Sequence, residues 1–193
     1  DGSPIAAVQK LVDKGVSVAG IDMLYQGEFL TDGKPLAETP RVANPREAAC
    51  FTFGYNHSVF AQRVHDALSA IAFIRDHEYQ PKRIVVIGSN GAGHIAAAAG
   101  SQATSAVHGY AIDTAGFRFI DVEDMHHPDF TPGGAKYGDL PGMLARLAPT
   151  PMLLAGENDT ASLLNLYEGA HAETMLTTSA REKFSDALTD WVK

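Results

Sequence analysis

At 193 residues and 45% hydrophobic composition, the chain is long enough to bury the core of one domain. Fifteen Lys and Arg against 23 Asp and Glu leave a net charge of -8 with no long run of one sign, which speaks against a nucleic-acid backbone or an anionic membrane as the main partner. Cys50 is the single cysteine, so neither an internal disulfide nor a multi-cysteine metal site can form. No apolar run reaches the length of a membrane span and no signal-peptide pattern is visible, and composition leaves the compartment open.

Ile5, Val8, Leu11 and Val12 recur at helical spacing behind Ser3, a natural N-cap, and Pro4, so the first element is expected to be a helix stopped by Gly15. Val16 to Leu24 reads as a buried strand. Residues 25 to 58 are rich in Gly, Pro, Asn and Thr and too long for an ordinary connection, which predicts a loop that shapes a site. Phe60, Val64, Leu68, Ile71 and Ile74 mark an amphipathic helix from about Val59 to His77. Ile84 to Ile87 form a short apolar, β-branched strand that runs through Gly88-Ser89-Asn90-Gly91-Ala92-Gly93 into an alanine-rich helix.

Val107 to Ile112 predict a further strand with Asp113 at its carboxyl end. The stretch from Gly116 to Ala148 is irregular, with a short helix near Leu140 to Leu147. Pro151 to Ala155 read as a strand, Leu163 to Tyr167 as the last strand, and Ser179 to Val192 as a closing helix. Strands alternating with helices predict an α/β chain, a three-layer α/β/α sandwich on a mostly parallel sheet. One domain over 1–193 is expected, with loop insertions at about 25–58 and 116–148.

A strand that passes through a tight glycine turn into a helix aims backbone N–H groups and the helix's positive end at one point above the sheet. Gly88-Ser89-Asn90-Gly91-Ala92-Gly93 resembles the nucleophile elbow of the α/β-hydrolases, whose usual form is Gly-x-Ser-x-Gly between strand and helix. Leu153 to Asp159 is similar to the strand and turn that deliver that family's acid, and Tyr167 to His171 to the turn that delivers its histidine. Gly15 to Glu28 resembles the strand and loop of the dienelactone-hydrolase and acetylxylan-esterase branch. The resemblance implies a hydrolase of acyl esters, carbohydrate acetyl esters among them, with Asn90 at the nucleophile position, Asp159 as acid, His171 as base and the Gly91 N–H as one oxyanion donor.

Asn90 departs from this pattern, because a neutral amide is a poor nucleophile, although asparagine tolerates the positive φ of an elbow. Ser89 is the alternative nucleophile and Asp113 the alternative acid. Asn90-Gly91 also has the local chemistry of succinimide formation and deamidation. If the first helix is the one that follows the family's third strand, the first three strands are absent and a slot stands empty beside the strand at 84–87. Unpaired backbone in a core is costly, which implies a second polypeptide, such as a fragment of a cleaved precursor, or a homo-oligomer to fill it.

These residues leave three functions in competition: an esterase-like hydrolase, a catalytically inactive hydrolase-fold protein serving binding or assembly, and a dinucleotide-binding domain. The last rests on Gly88, Gly91 and Gly93 opening a helix, with Asp113 ending the next strand. No cofactor and no metal are expected. His126-His127-Pro128-Asp129 lacks metal-ligand spacing, and His94, His57 and Tyr55 are expected either to pack or to line the site.

Overall fold

The computed structural model describes residues 5–30, 32–41, 44, 47–103 and 105–192. Four strands, β1 (Val85–Gly88), β2 (Gly109–Asp113), β3 (Met152–Ala155) and β4 (Leu176–Ser179), form one sheet. Its order is β1-β2-β3-β4 and every pairing is parallel. A parallel neighbour is reached only through a crossover, and the intervening chain forms α4 (Gly93–Ala103), α5 (Asp139–Ala145) and α6 (Ala161–Gly169). Right-handed crossovers that always step in one direction put their helices on one face. The long helix α3 (Val59–Arg75), capped by the Ser58 hydroxyl accepting from the Ala61 N–H at 3.2 Å, packs beside α4 on that face.

Period-two alternation divides the core between the two faces of the sheet. Tyr110, Ile112, Met152 and Leu154 join Ile95, Ala96, Leu140, Leu144 and Tyr167 in the larger cluster. Ala111, Leu153 and Ala155 face the other way, onto Leu11 of α1 (Ala6–Asp13) and Phe184, Leu188 and Val192 at α7 (Phe184–Trp191). The small side chains Ala96 to Ala99 are all buried and let α4 lie close to the sheet. Within that core the Tyr167 hydroxyl donates to the Thr150 carbonyl at 2.6 Å, and burial pushes its phenol well above the ordinary tyrosine range.

The first helix is present, but it starts at Ala6 with Ile5 at the N-cap, and Ser3 and Pro4 lie outside the described residues. Val16 to Leu24 is not a strand. It is irregular chain held at its ends, the Val16 N–H by the Leu11 carbonyl and Leu24 by Asp66 and Arg63, while Val18 and Ile21 stay exposed. Among the described residues no strand lies against it. Among its described residues, the loop predicted over 25–58 contains a 3-10 turn at Gly27–Phe29 and a short helix, α2 (Ala49–Thr52).

Leu163 to Tyr167 is not a strand either: it lies inside α6. Leu163 and Tyr167, four apart, are buried while Leu164 and Leu166 are exposed, which is the period of a helix face. The last strand is β4, whose burial falls off after Leu176 because it forms the sheet's edge.

Candidate functional site

The turn from β1 to α4, where the elbow is expected, bends through two consecutive positive φ angles. Asn90 has φ +52 and Gly91 φ +90, and the Ala92 N–H donates to the Ser89 carbonyl at 3.0 Å. Asparagine enters the left-handed region at less cost than most side chains, so this sequence bends where a larger residue would resist. Gly93 starts α4 against the end of β2, where a Cβ would overlap the Asp113 carbonyl. The bend is therefore wedged between two strand ends, with Asn90 and Gly91 exposed at its tip and Ser89 half-buried below.

The carboxyl ends of β2, β3 and β4 are crowded with paired charge. Asp113 is buried, and its Oδ1 accepts both the Ala115 N–H and the Arg181 Nε at 3.0 Å. Glu157, whose side chain is 3% exposed, accepts from the Thr114 hydroxyl at 2.6 Å and from both terminal nitrogens of Arg118, at 3.0 and 2.5 Å. A forked guanidinium on both carboxylate oxygens is a rigid, directional pair. These bonds occupy Asp113, so its carboxylate does not orient a histidine, and a ribose hydroxyl would have to displace Arg181. Arg118, Glu157 and Arg181 were not among the residues singled out from the sequence, since a pair of this kind has no local pattern.

Asp159 and His171 stand at opposite ends of α6. Asp159 is exposed and its Oδ1 accepts the Ala161 N–H at 2.9 Å, a turn that opens the helix. His171 is exposed, has φ +53, and donates its N–H to the Glu168 carbonyl just past the helix's end. Nine helical residues separate the two, a rise of about 13 Å along the axis. Because α6 carries the chain from the carboxyl end of β3 to the amino end of β4, His171 lies at the opposite end of the sheet from Asn90. The structure brings neither residue to the elbow.

The histidine that does lie by the elbow is His94, one residue into α4 and 4% exposed. Its ring stacks on Phe117 at 4.0 Å between centroids and on Phe60 at 5.7 Å. Nε2 comes within 3.2 Å of Asp129 Oδ1 but misses the direction a hydrogen bond needs, so the contact has ion-pair distance without hydrogen-bond geometry. Asp129 is also 3.4 Å from Arg63 NH1, and Arg63 Nε donates to the Leu24 carbonyl at 3.0 Å. Burial by itself would raise the Asp129 carboxyl, yet His94, Arg63 and His127 outweigh it and hold the group below the usual carboxylate range. Burial also draws Arg63 below its ordinary value, with Asp129 opposing the shift. His94 thus belongs to a packed pin that ties α3, α4 and the 117–130 loop together.

The other aromatic and histidine positions serve the loops. Tyr55 is fully in solvent, and His57 lines a groove of about 450 Å³ between α3, α4 and residues 131–134. His126 sits beside Arg41, 2.7 Å from its NH1, and Glu47. Among the described residues no three His, Cys, Asp or Glu side chains group as metal ligands, and no helix is long and apolar enough to cross a membrane.

No protein-family model matches the sequence, and no curated protein matches it. Among solved structures, Methylesterase BT1017 aligns at a TM-score of 0.46 and 15% identity, over 69% of this chain. The aligned part is 35% of the methylesterase, so this chain spans about a third of that protein's length. What stands independently is an α/β fold, a four-stranded parallel sheet flanked by helices.

Proposed function

We propose that this chain is an α/β-hydrolase-like module of the esterase type, with the sandwich architecture of that fold, in which catalysis is degenerate and which serves binding or assembly. The observation that carries this reading is Asn90: a carboxamide occupies the tip of a correctly bent elbow, and its neutral nitrogen supplies no alkoxide equivalent. Asp159 and His171, at the two ends of α6, add no relay to it.

The test is turnover of a short-chain aryl ester. Wild type, His171→Ala and Asn90→Ser are all expected at the uncatalysed background, because a serine restored at position 90 still lacks a base. Turnover by the wild type that drops sharply in His171→Ala would overturn the reading in favour of an active esterase. That second reading draws its support from the bend at Asn90 and from the free Gly91 position, where an oxyanion donor would stand.

The proposed partner is a second polypeptide that adds extended strands beside β1. β1 pairs with β2 alone among the described residues, and Ile87, 38% exposed, stands on it. Backbone groups on an open edge are a template for another strand. Native mass measurement of the purified protein is expected to show a co-purifying polypeptide, lost in Ile87→Lys. A monodisperse monomer of 20.5 kDa would contradict this partner without touching the catalytic reading.

A further inference from the structure

Asn90 stands exposed at the tip of the turn between β1 and α4. Its carboxamide makes no hydrogen bond among the described residues, and both it and Gly91 face solvent. Nothing lies within 4 Å of the place where a Cβ on Gly91 would stand, so the Gly91 Cα has open space beside it. That nitrogen precedes α4 by two residues, where the positive end of an eleven-residue helix favours negative charge. A deprotonated backbone nitrogen is such a charge.

We propose that Asn90 is a deamidation site in the folded protein, and that the chain converts its own elbow tip from a carboxamide to a carboxylate. The Gly91 nitrogen bonds to Asn90 Cγ, the Cγ–Nδ2 bond breaks, and ammonia leaves carrying the proton released by that nitrogen. The product is a five-membered succinimide. Water then adds to one of the ring's two carbonyl carbons. Attack at Cγ restores the normal backbone with aspartate, and attack at the main-chain carbonyl gives the isoaspartyl link through the side chain. The net exchange is water in and ammonia out, with no oxidant or metal.

The fold supplies what the dipeptide alone does not guarantee. In most folded settings an asparagine is held by hydrogen bonds or buried, whereas the bend here presents it outward with its amide unengaged. The other asparagines well inside the described chain are placed differently: Asn56 donates to the Thr52 carbonyl, and Asn158 and Asn165 are followed by Asp159 and Leu166, side chains that crowd the attacking nitrogen. The aspartate form would place a full negative charge at the helix's positive end, a favourable position. Any anionic group approaching the elbow would then meet repulsion.

The experiment incubates the folded protein in mildly alkaline buffer and follows it by intact mass and peptide mapping, beside a synthetic peptide spanning Ile87 to Ala92. The expected result is the mass gain of an amide-to-acid exchange, confined to position 90 and accompanied by an isoaspartyl peak. Asn90→Gln, which cannot close a five-membered ring readily, is expected to stay unmodified with its fold intact by circular dichroism. Gly91→Ala is expected to slow conversion at least about tenfold, equivalent to about 1.4 kcal/mol in the barrier. An unchanged amide at position 90 in folded protein, under conditions where the peptide converts, overturns the proposal. So does conversion spread equally over Asn56, Asn158 and Asn165. The result is independent of ester turnover, so the proposal and the non-catalytic reading fail separately.

Discussion

The two sides of the sheet are finished to different degrees. At the carboxyl ends of β2, β3 and β4, every acid that the fold turns inward has a partner: Asp113 holds Arg181 and the Ala115 N–H, and Glu157 holds Arg118 and Thr114. Among the described residues the backbone of β1 has a neighbour on one side, Ile87 is partly exposed, and the Asn90 amide three residues on is unengaged. Of the residues that look catalytic in the sequence, Asp113 pairs with Arg181, Asp159 accepts a backbone N–H at the start of α6, and His171 is exposed at its end. The unengaged groups lie at the opposite border, where we propose binding and modification.

The sharpest way to break this contrast is Gly93→Ala. A Cβ at that position overlaps the Asp113 carbonyl, which is backbone and cannot swing away, so the elbow and the β2 terminus must separate. A loss of about 3 kcal/mol in urea-unfolding stability is expected, and a loss below the experimental error would show that the wedge is not tight. Glu157→Ala is next. It leaves Arg118, which is only partly exposed, without its fork, and about 2 kcal/mol is expected to go. A thermal melt comparing it with Arg118→Ala and the double variant measures the coupling, and simple additivity would mean the pair holds nothing.

The Asp129 pin gives a pH test. Its folded carboxyl is depressed, so between the folded value and the unfolded value near about 4 the unfolded chain binds more protons. The stabilisation is therefore complete above that unfolded value and is lost as the pH falls through the folded one. Asp129→Asn is expected to lose about 1.5 kcal/mol at neutral pH and to converge with wild type in acid. Parallel stability curves across that range would remove the pin. The smallest effect belongs to His171→Gly, which relieves a left-handed φ at the end of α6. A gain of about 0.5 kcal/mol by denaturant titration is expected, and a loss would mean that the histidine has a role its exposure hides.

Legibility followed the range of the interactions. The strands at 85–88, 109–113 and 152–155, the helices α3 and α4 and their parallel arrangement were readable because each shows its own apolar pattern and turn residues. Leu163 to Tyr167 was not, since five residues with three or four apolar side chains satisfy a strand and one helix turn equally. The last strand is therefore β4, which ends at Ser179 and is followed by Ala180 and Arg181, without a histidine. Val16 to Leu24 failed differently. Its composition suits a strand, but strand formation needs a partner, and the described residues hold none beside it.

The sequence by itself determined an α/β chain with a bent, asparagine-tipped turn at 88–93, because those signals are local: a β-branched run, closely spaced glycines and a helix former behind them. The tertiary structure decided which carboxylates were free. Asp113, Glu157 and Asp129 are chemically like Asp159 on paper, and only the position of Arg181, Arg118 and Arg63 in space separates a committed acid from an exposed one. Ion pairing and strand pairing depend on neighbours distant in the chain, and no window along the sequence contains them.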